Sequence, residues 1–396
     1  MYINYLVFRT LTFPLAYLPY SWIHALGNKL GLLVFYLYPR YRKRTLSNLA
    51  LAPHLSLAPD EIKSLAKRSL QNLMITFLEY PKLAKENDIT KIATCENPDV
   101  ALDILSSGKG VIFFCGHQAN WELFFLEGTS RMPGVAIGRP IKNTLLYNWV
   151  LKLREKYGGK IVSPKNALKE GLRTLRTPTF FGIVGDQGMP NSGYSSSFLG
   201  RSAWTSPLPA LLSLRTERPI IVATNRRVNG KYIIHYSPPI WPQPSDTAES
   251  LMNQVLAIFE KTIVETPSQW LWTHNRWKQS LPGPLPKRLR QECIALIFPS
   301  LLMAQQTLPS FKKIYPREFL TAFLPQGSDT ASLPPLIEFK FYNTLQDILT
   351  TDYRFKLIYD FTHSSLIKKH FLALSAFHVE TPASCEEIIT LASHAS

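Results

Sequence analysis

Residues Gly108–Phe125 read GKGVIFFCGHQANWELFF, and this stretch decides the fold. Val111–Cys115 is a short, uninterrupted apolar run bounded by Gly110 and Gly116, the signature of a strand buried on both faces. The following NWELFFLEGT reads as a helix. His117 therefore falls at the carboxyl end of a buried strand, where open α/β sheets collect their ligands. Glu122 lies five residues further on. On one helix a five-residue step turns through about 140°, so the two side chains would diverge. They meet only if His117 is still in the turn and Glu122 is in the first turns of the helix. A carboxylate on one imidazole nitrogen fixes the tautomer and favours the imidazolium formed when the other takes a proton, the arrangement of a general base for a hydroxyl. A histidine capping a buried turn is the competing reading.

The same alternation extends outward. APDEIKSLAKRSLQNLMITFLEYPKLA is a helix opened by Pro59-Asp60-Glu61, with apolar residues at intervals of three and four. GVAIG, KIVS, TFFGIVGD, RPIIVAT and KYIIHYS read as strands. TLLYNWVLKLREKYG, KNALKEGLRTLR, SPLPALLSLRT and AESLMNQVLAIFEKTIVET read as helices. Strands alternating with helices predict an α/β fold with a mostly parallel sheet flanked by helices. The Pro-rich LPGPLPKRLR, residues 281–290, is a linker. Beyond it CIALIFPSLL, IEFKFY and RFKLIYDFT are strand-like and CEEIITLASHA is helix-like, so residues 291–396 form a small C-terminal α/β appendage.

Charge is unevenly placed along the 396 residues. Residues 1–283 carry 33 Lys+Arg against 18 Asp+Glu, whereas residues 284–396 carry 11 against 10. The basic excess implies an anionic partner. Residues 1–50 contain no acidic residue, and 19 consecutive positions between Arg9 and Lys29 are uncharged. With the basic cluster Arg40, Arg42, Lys43 and Arg44 and many aromatics, residues 1–45 read as an N-terminal membrane anchor. Pro14, Pro19, His24 and Asn28 argue for a shallow or re-entrant form as much as a spanning one. The alternative is a hydrophobic helical hairpin packed on the domain. Cys95, Cys115, Cys293 and Cys385 are widely spaced, pointing to a reducing compartment with no disulfide framework.

The block HQANWE resembles the His-x-x-x-x-Asp/Glu motif of glycerolipid-type acyltransferases, and more closely that of the late lipid A acyltransferases, the lauroyl and myristoyl transferases of Gram-negative bacteria. Further blocks follow the family in order: NLAL at 48–51, GRP at 138–140, LREKYGGK at 153–160, GDQG at 185–188, FLGRSAWTSPLPALL at 198–212 and PSQWLWTHNRWK at 267–278. The resemblance covers residues 1–280 and makes 46–280 the acyltransferase domain. It implies acyl transfer from an acyl carrier protein thioester to a hydroxyl of a lipid A precursor, at the cytoplasmic face of the cell inner membrane, with no cofactor and no metal. His117 is then the base and Glu122 its orienting partner. Arg154 and Asp186 match family site positions, and Arg139 is a second phosphate candidate because a planar guanidinium suits oxyanions. Asp186 would orient Arg154 or a sugar hydroxyl. Arg276 and Lys278 with Trp270, Trp272 and Trp277 suggest a basic-aromatic surface facing the membrane. His274 reads as structural. Lys160, Arg173, Arg176, Arg226 and Arg227 read as a solvated basic face for an acidic carrier protein.

Other classes fit less well. No G-x-S-x-G, H-E-x-x-H, P-loop or RNP pattern occurs, which disfavours serine hydrolases, zinc hydrolases and nucleic-acid binding. A glycerophospholipid-type acyltransferase remains the alternative, although EGTSR at 127–131 lies too near His117 to be its second block. A basic membrane-associated anion binder without catalysis is the weaker alternative. Because every block precedes the linker, a chain ending near Lys278 is expected to stay active.

Overall fold

The computed structural model describes residues 2–279, 285–383 and 385–393. The linker expected at 281–290 thus lies partly outside the described residues. In chain order the first helices are α1 (Tyr2–Thr12), α2 (Tyr20–Leu37), α3 (Pro39–Ala50), α4 (Pro59–Lys85), α5 (Asp99–Ser106), α6 (Glu122–Arg131), α7 (Thr144–Arg154), α8 (Ala167–Thr174), α9 (Leu208–Thr216) and α10 (Ala248–Glu265). The strands among them are β1 (Ala93–Cys95), β2 (Val111–Cys115), β3 (Gly134–Ile137), β4 (Lys160–Val162), β5 (Phe180–Val184), β6 (Tyr194–Phe198), β7 (Arg201–Thr205), β8 (Ile220–Val228) and β9 (Lys231–Tyr236).

Seven strands form one sheet in the order β1-β9-β8-β2-β5-β3-β4, parallel throughout except for the β8–β9 hairpin. All five residues of β2 are buried, as expected for a central strand covered by helices on both faces. β6 and β7 form a separate antiparallel hairpin. The α/β class expected from the alternation is what the chain adopts.

The N-terminus differs from the expectation. Among the described residues no helix is long and apolar enough to cross a membrane. Instead α2 packs along α4. Ile23, Gly27, Gly31 and Phe35 are buried at four-residue intervals, so one stripe of the helix faces the protein. The two glycines permit the approach: a Cβ at Gly27 would lie 2.8 Å from Ile75 Cα, and one at Gly31 would lie 2.3 Å from Gln71 Cα. His24 joins the contact through its Nε2, 2.6 Å from Glu79 Oε1 on α4. The apolar run is largely a helical hairpin on the domain, with Pro19 setting the start of α2. Its other face remains exposed, including Ile3, Leu11, Trp22, Leu33, Tyr36 and Leu37.

The second unit comprises β10 (Cys293–Ile297), α11 (Leu301–Ile314), β11 (Phe319–Pro325), β12 (Ile337–Tyr342), β13 (Leu357–Asp360), α12 (Ser365–Ala373), β14 (His378–Glu380) and α13 (Cys385–Ser393). Its parallel sheet runs β12-β11-β10-β13-β14. The unit is not loosely tethered. Phe323, Phe355, Ile358, Phe371 and Ala376 belong to the same apolar core as Phe35, Leu46, Leu49 and Trp272. The buried Lys356 ammonium donates to Asn48 Oδ1 at 2.8 Å and pairs with Glu292, and Ser47 Oγ donates to the Arg354 carbonyl at 2.7 Å.

Candidate active site

Parallel pairing in register places Cys115 opposite Val184, so the residues two beyond each, His117 and Asp186, emerge side by side at the carboxyl end of the sheet. His117 Nδ1 lies 2.7 Å from Asp186 Oδ1, and the His117 backbone N–H donates to Asp186 Oδ2 at 2.8 Å. The indole N–H of Trp270 donates to the same Oδ2, also at 2.8 Å. Asp186 is fully buried. Burial alone would raise its pKa, but the His117 ring and these donors hold it well below the usual carboxylate range. A charged carboxylate on Nδ1 keeps the proton there and leaves Nε2 as the basic nitrogen. Gly116 is required by this geometry. A Cβ there would stand 2.0 Å from Phe259 Cζ and 3.0 Å from Asp186 Oδ2.

The structure corrects the role expected of Glu122. Its carboxylate does not orient the imidazole but is taken by other donors: Arg154 Nε at 2.7 Å and Nη2 at 2.6 Å, the Tyr80 hydroxyl at 2.6 Å and Trp121 Nε1 at 3.1 Å. Burial would raise the Glu122 pKa, but the Arg154 pair lowers it. Glu122 is linked to the histidine through Trp121, whose ring lies edge-on to the imidazole at 5.0 Å between centroids. Two arms of the Arg154 guanidinium are consequently engaged within the protein, and its partner is Glu122 rather than Asp186. Arg139 is exposed on the loop after β3.

Sequence reasoning missed how close His274 comes. Its ring meets His117 edge-on at 4.3 Å between centroids. Burial, reinforced by the His117 charge, pushes its pKa down to about 4, so it is neutral at neutral pH. Its segment is held by main-chain pairing, with the Leu271 N–H donating to the His117 carbonyl at 3.0 Å. The Asn48 side-chain amide donates to the Trp272 carbonyl at 2.7 Å and also to that of His274. His117, Asp186 and His274 offer ligand atoms within 4.8 Å of one another, a spacing open to a cation. Both Asp186 oxygens, however, already accept from His117 and Trp270, so the hydrogen-bonded dyad accounts for the cluster.

Trp270, Trp272, Trp277 and Arg276 are fully buried, which corrects the membrane-facing surface expected of them. Arg276 donates to the Trp204 carbonyl at 2.8 Å and to Thr205 Oγ1 at 2.6 Å, so it fastens the β6–β7 hairpin. Lys160, Arg173, Arg176 and Arg226 are exposed as expected, and Arg227 is half-buried.

Two cavities meet at His274. An apolar groove of about 460 Å³ is lined by Val34, Tyr38, Leu73, Phe77, His117 and Trp121 among others. The second, which also has His274 in its lining, is a polar cleft of about 340 Å³ walled by Arg139, Gln187, Asn191, Asn275 and Lys278. The carboxylate-backed His117 lines the apolar groove, and its neighbour His274 lines both that groove and the cationic cleft. A sequence model of the bacterial lipid A biosynthesis acyltransferases matches residues 1–279. The chain belongs to this family. It is 23% identical over 282 residues to the lipid A biosynthesis lauroyltransferase of Escherichia coli (strain K12), an alignment covering 68% of this chain and 90% of that protein. The family match ends before the second unit, so that this lipid A acyltransferase carries about a hundred further residues.

Proposed function

We propose that this acyltransferase moves a fatty acyl chain from an acyl carrier protein thioester to a hydroxyl of a lipid A precursor, with His117 as general base oriented by Asp186. The observation that carries this reading is the His117–Asp186 dyad on the apolar groove, against His274, which lines the groove and the cationic cleft alike. His117 Nε2 takes the hydroxyl proton as that oxygen attacks the thioester carbonyl carbon. The imidazolium is stabilised by Asp186. As the C–S bond breaks, the proton passes to the departing sulfur, releasing the carrier thiol. Glu122 accepts from Trp121, whose ring lies beside the imidazole, and pairs with Arg154. Cys115 is no rival nucleophile, because burial pushes its thiol pKa far up.

The exposed basic residues of the first unit suit an acidic carrier protein. The apolar outer face of α1 and α2, beside the exposed Arg40, suits a helix pair lying on an anionic bilayer without crossing it. With a cytosolic carrier as donor, the site works at the cytoplasmic face of the inner membrane. The test is mass spectrometry of lipid A from a strain lacking its own late acyltransferase, complemented with this chain or with His117→Ala. An added acyl chain that depends on His117 is expected. An unchanged lipid A with the intact chain expressed would overturn the reading.

A further inference from the structure

Another cavity, of about 380 Å³, lies between the β8–β9 hairpin and α10, and the chemistry above does not use it. β8 is the other parallel neighbour of β2. Phe114 pairs with Val222, so three residues further on Asn225 stands level with His117, on the side away from Asp186. The cavity therefore belongs to the carboxyl end of the same sheet. Val222, Ile233, Pro238 and Ile258 give it apolar walls. The charges at its rim balance. Glu96 faces Arg226 at 3.2 Å and His235 at 3.4 Å, and Lys261 stands one turn from Glu265 on α10.

Two buried amides in its lining are only half satisfied. Gln118 is 1% and Asn225 2% exposed, yet Gln118 Oε1 and Asn225 Oδ1 have no hydrogen-bond partner among the described residues. Exchanging the amide oxygen and nitrogen would not relieve this. Asn225 Nδ2 donates to the Asn120 carbonyl at 2.9 Å, and a carbonyl can only accept. Gln118 Nε2 donates to Thr262 Oγ1 at 2.8 Å, and that hydroxyl has given its one proton to the Phe259 carbonyl at 2.7 Å. Both free atoms are thus acceptors, and a buried acceptor left unmet is costly. They also flank one strained residue. Ala119 has a φ of 45°, left-handed without being glycine, and follows Gln118 directly, while Asn225 holds the next carbonyl, that of Asn120.

We propose that this cavity is a second ligand site, taking a small uncharged molecule whose N–H or O–H groups donate to Gln118 and Asn225, and that its occupant steadies the turn bearing His117. Neutral acceptors call for a neutral donor, because an ion brought among them would meet no buried counter-charge in the lining. An amide and a polyol both carry such donors, and the apolar walls take the carbon skeleton. A molecule bonded to both oxygens ties the two sides of Ala119 together, which favours the one turn conformation that presents His117 to Asp186. The effect on His117 rests on the acyltransferase reading above, whereas the binding does not.

The test titrates the full chain with acetamide, glycerol and N,N-dimethylacetamide, followed by saturation-transfer NMR. The first two carry donors and are expected to bind, the tighter of them telling an amide from a polyol. N,N-dimethylacetamide has no donor and is expected not to bind. Gln118→Met removes one acceptor and should weaken binding about tenfold, the scale of one hydrogen bond. Thr224→Trp fills the cavity from a half-buried wall position and should abolish binding, with circular dichroism confirming its fold. Equal binding of acetamide and N,N-dimethylacetamide, or acetamide binding that survives Thr224→Trp, overturns the site. Displacement of acetamide by potassium or methylammonium chloride overturns it too, by giving the oxygens to a cation. In acyl-transfer assays acetamide is expected to raise the kcat of the wild type and not that of Thr224→Trp. Binding with an unchanged kcat overturns the coupling to His117 alone. A wild type that binds acetamide but transfers no acyl chain overturns the acyltransferase reading and the coupling, and supports the site.

Discussion

His117 Nδ1 and Asp186 Oδ1 are 2.7 Å apart although 69 positions separate them in the chain. Their meeting depends on β2 and β5 being neighbours in register. His117→Ala should lower kcat by about 10²–10⁴-fold, the usual contribution of a positioned base. Asp186→Asn keeps the shape but removes the charge that stabilises imidazolium, so kcat should fall on a similar scale while the acceptor KM changes little. Steady-state kinetics on folded variants would check this, and a near-wild-type kcat for either would sink the dyad.

Glu122 should behave differently. It is nearly fully buried against Arg154, and removing one partner of a buried ion pair typically costs about 3–5 kcal/mol. Glu122→Ala is therefore expected to lower the unfolding free energy by that order in denaturant titration. Asp186→Asn should be the variant whose loss of turnover exceeds its loss of stability. The reverse ranking would return the orienting role to Glu122.

His274 gives the site a stability signature in acid. Its folded-state pKa of about 4 lies below the unfolded value near 6.5. Between those values the unfolded chain binds more protons, so stability falls as pH drops from about 6.5 to about 4 and then levels off. His274→Gln should flatten that part of a Tm-against-pH curve. Asp186 adds its own contribution with the sign of a depressed carboxylate: present above its unfolded pKa and lost only in stronger acid. An unchanged slope in His274→Gln would refute the assignment.

The sequence made the strand VIFFC, the position of His117 at its end and the helices α4 and α10 legible, because a continuous apolar run and a 3.6-residue stripe each have one simple structural meaning. Which carboxylate reaches the imidazole was not legible. Spacing along the chain favoured Glu122, whereas strand order in the sheet, invisible in a linear pattern, delivered Asp186. The N-terminal run was ambiguous for a physical reason. An apolar helix can bury itself in lipid or against α4, and the signal for the second was the pair Gly27 and Gly31, four residues apart on the contact face. The three tryptophans of WLWTHNRW read as an interface because aromatics beside cations are common there, yet their rings fill the core beneath the site. α11 and β11 both escaped notice between the more conspicuous β10 and β12.

The shared core argues against a free-standing first unit, contrary to what motif order suggests. Ending the chain at 279 would break the apolar core that the two units share and strip the Asn48 side-chain amide oxygen of its Lys356 donor. Such a truncation should aggregate or show a markedly lower Tm. Lys356→Met in the full chain, leaving Glu292 buried without its cation, should cost about 3–5 kcal/mol. A truncated protein as stable and as active as the whole would show the contact to be ornamental.

Charges placed on the outer face of the N-terminal helices should weaken lipid attachment without unfolding the protein. Ile3, Leu11 and Trp22 are well exposed and pack on little. Burying one such side chain in a bilayer is worth about 1.5–3 kcal/mol. The triple substitution to Glu is therefore expected to reduce partitioning onto anionic vesicles by tenfold or more, read by sedimentation. Full retention on the vesicles would mean that another face holds the membrane.

The bond from Lys356 to Asn48 also sets an order of events during synthesis. Asn48 braces the Trp272 and His274 carbonyls beside the imidazole, but its own ammonium partner is encoded 308 residues later. Ribosomes deliver domains from the N-terminus at about 5–20 residues per second. For roughly ten to thirty seconds, then, the nascent chain holds both residues of the dyad but not the Lys356 that fastens the brace behind it. A polypeptide released before residue 356 lacks that bond, so the bracing is completed only in chains read through to the second unit.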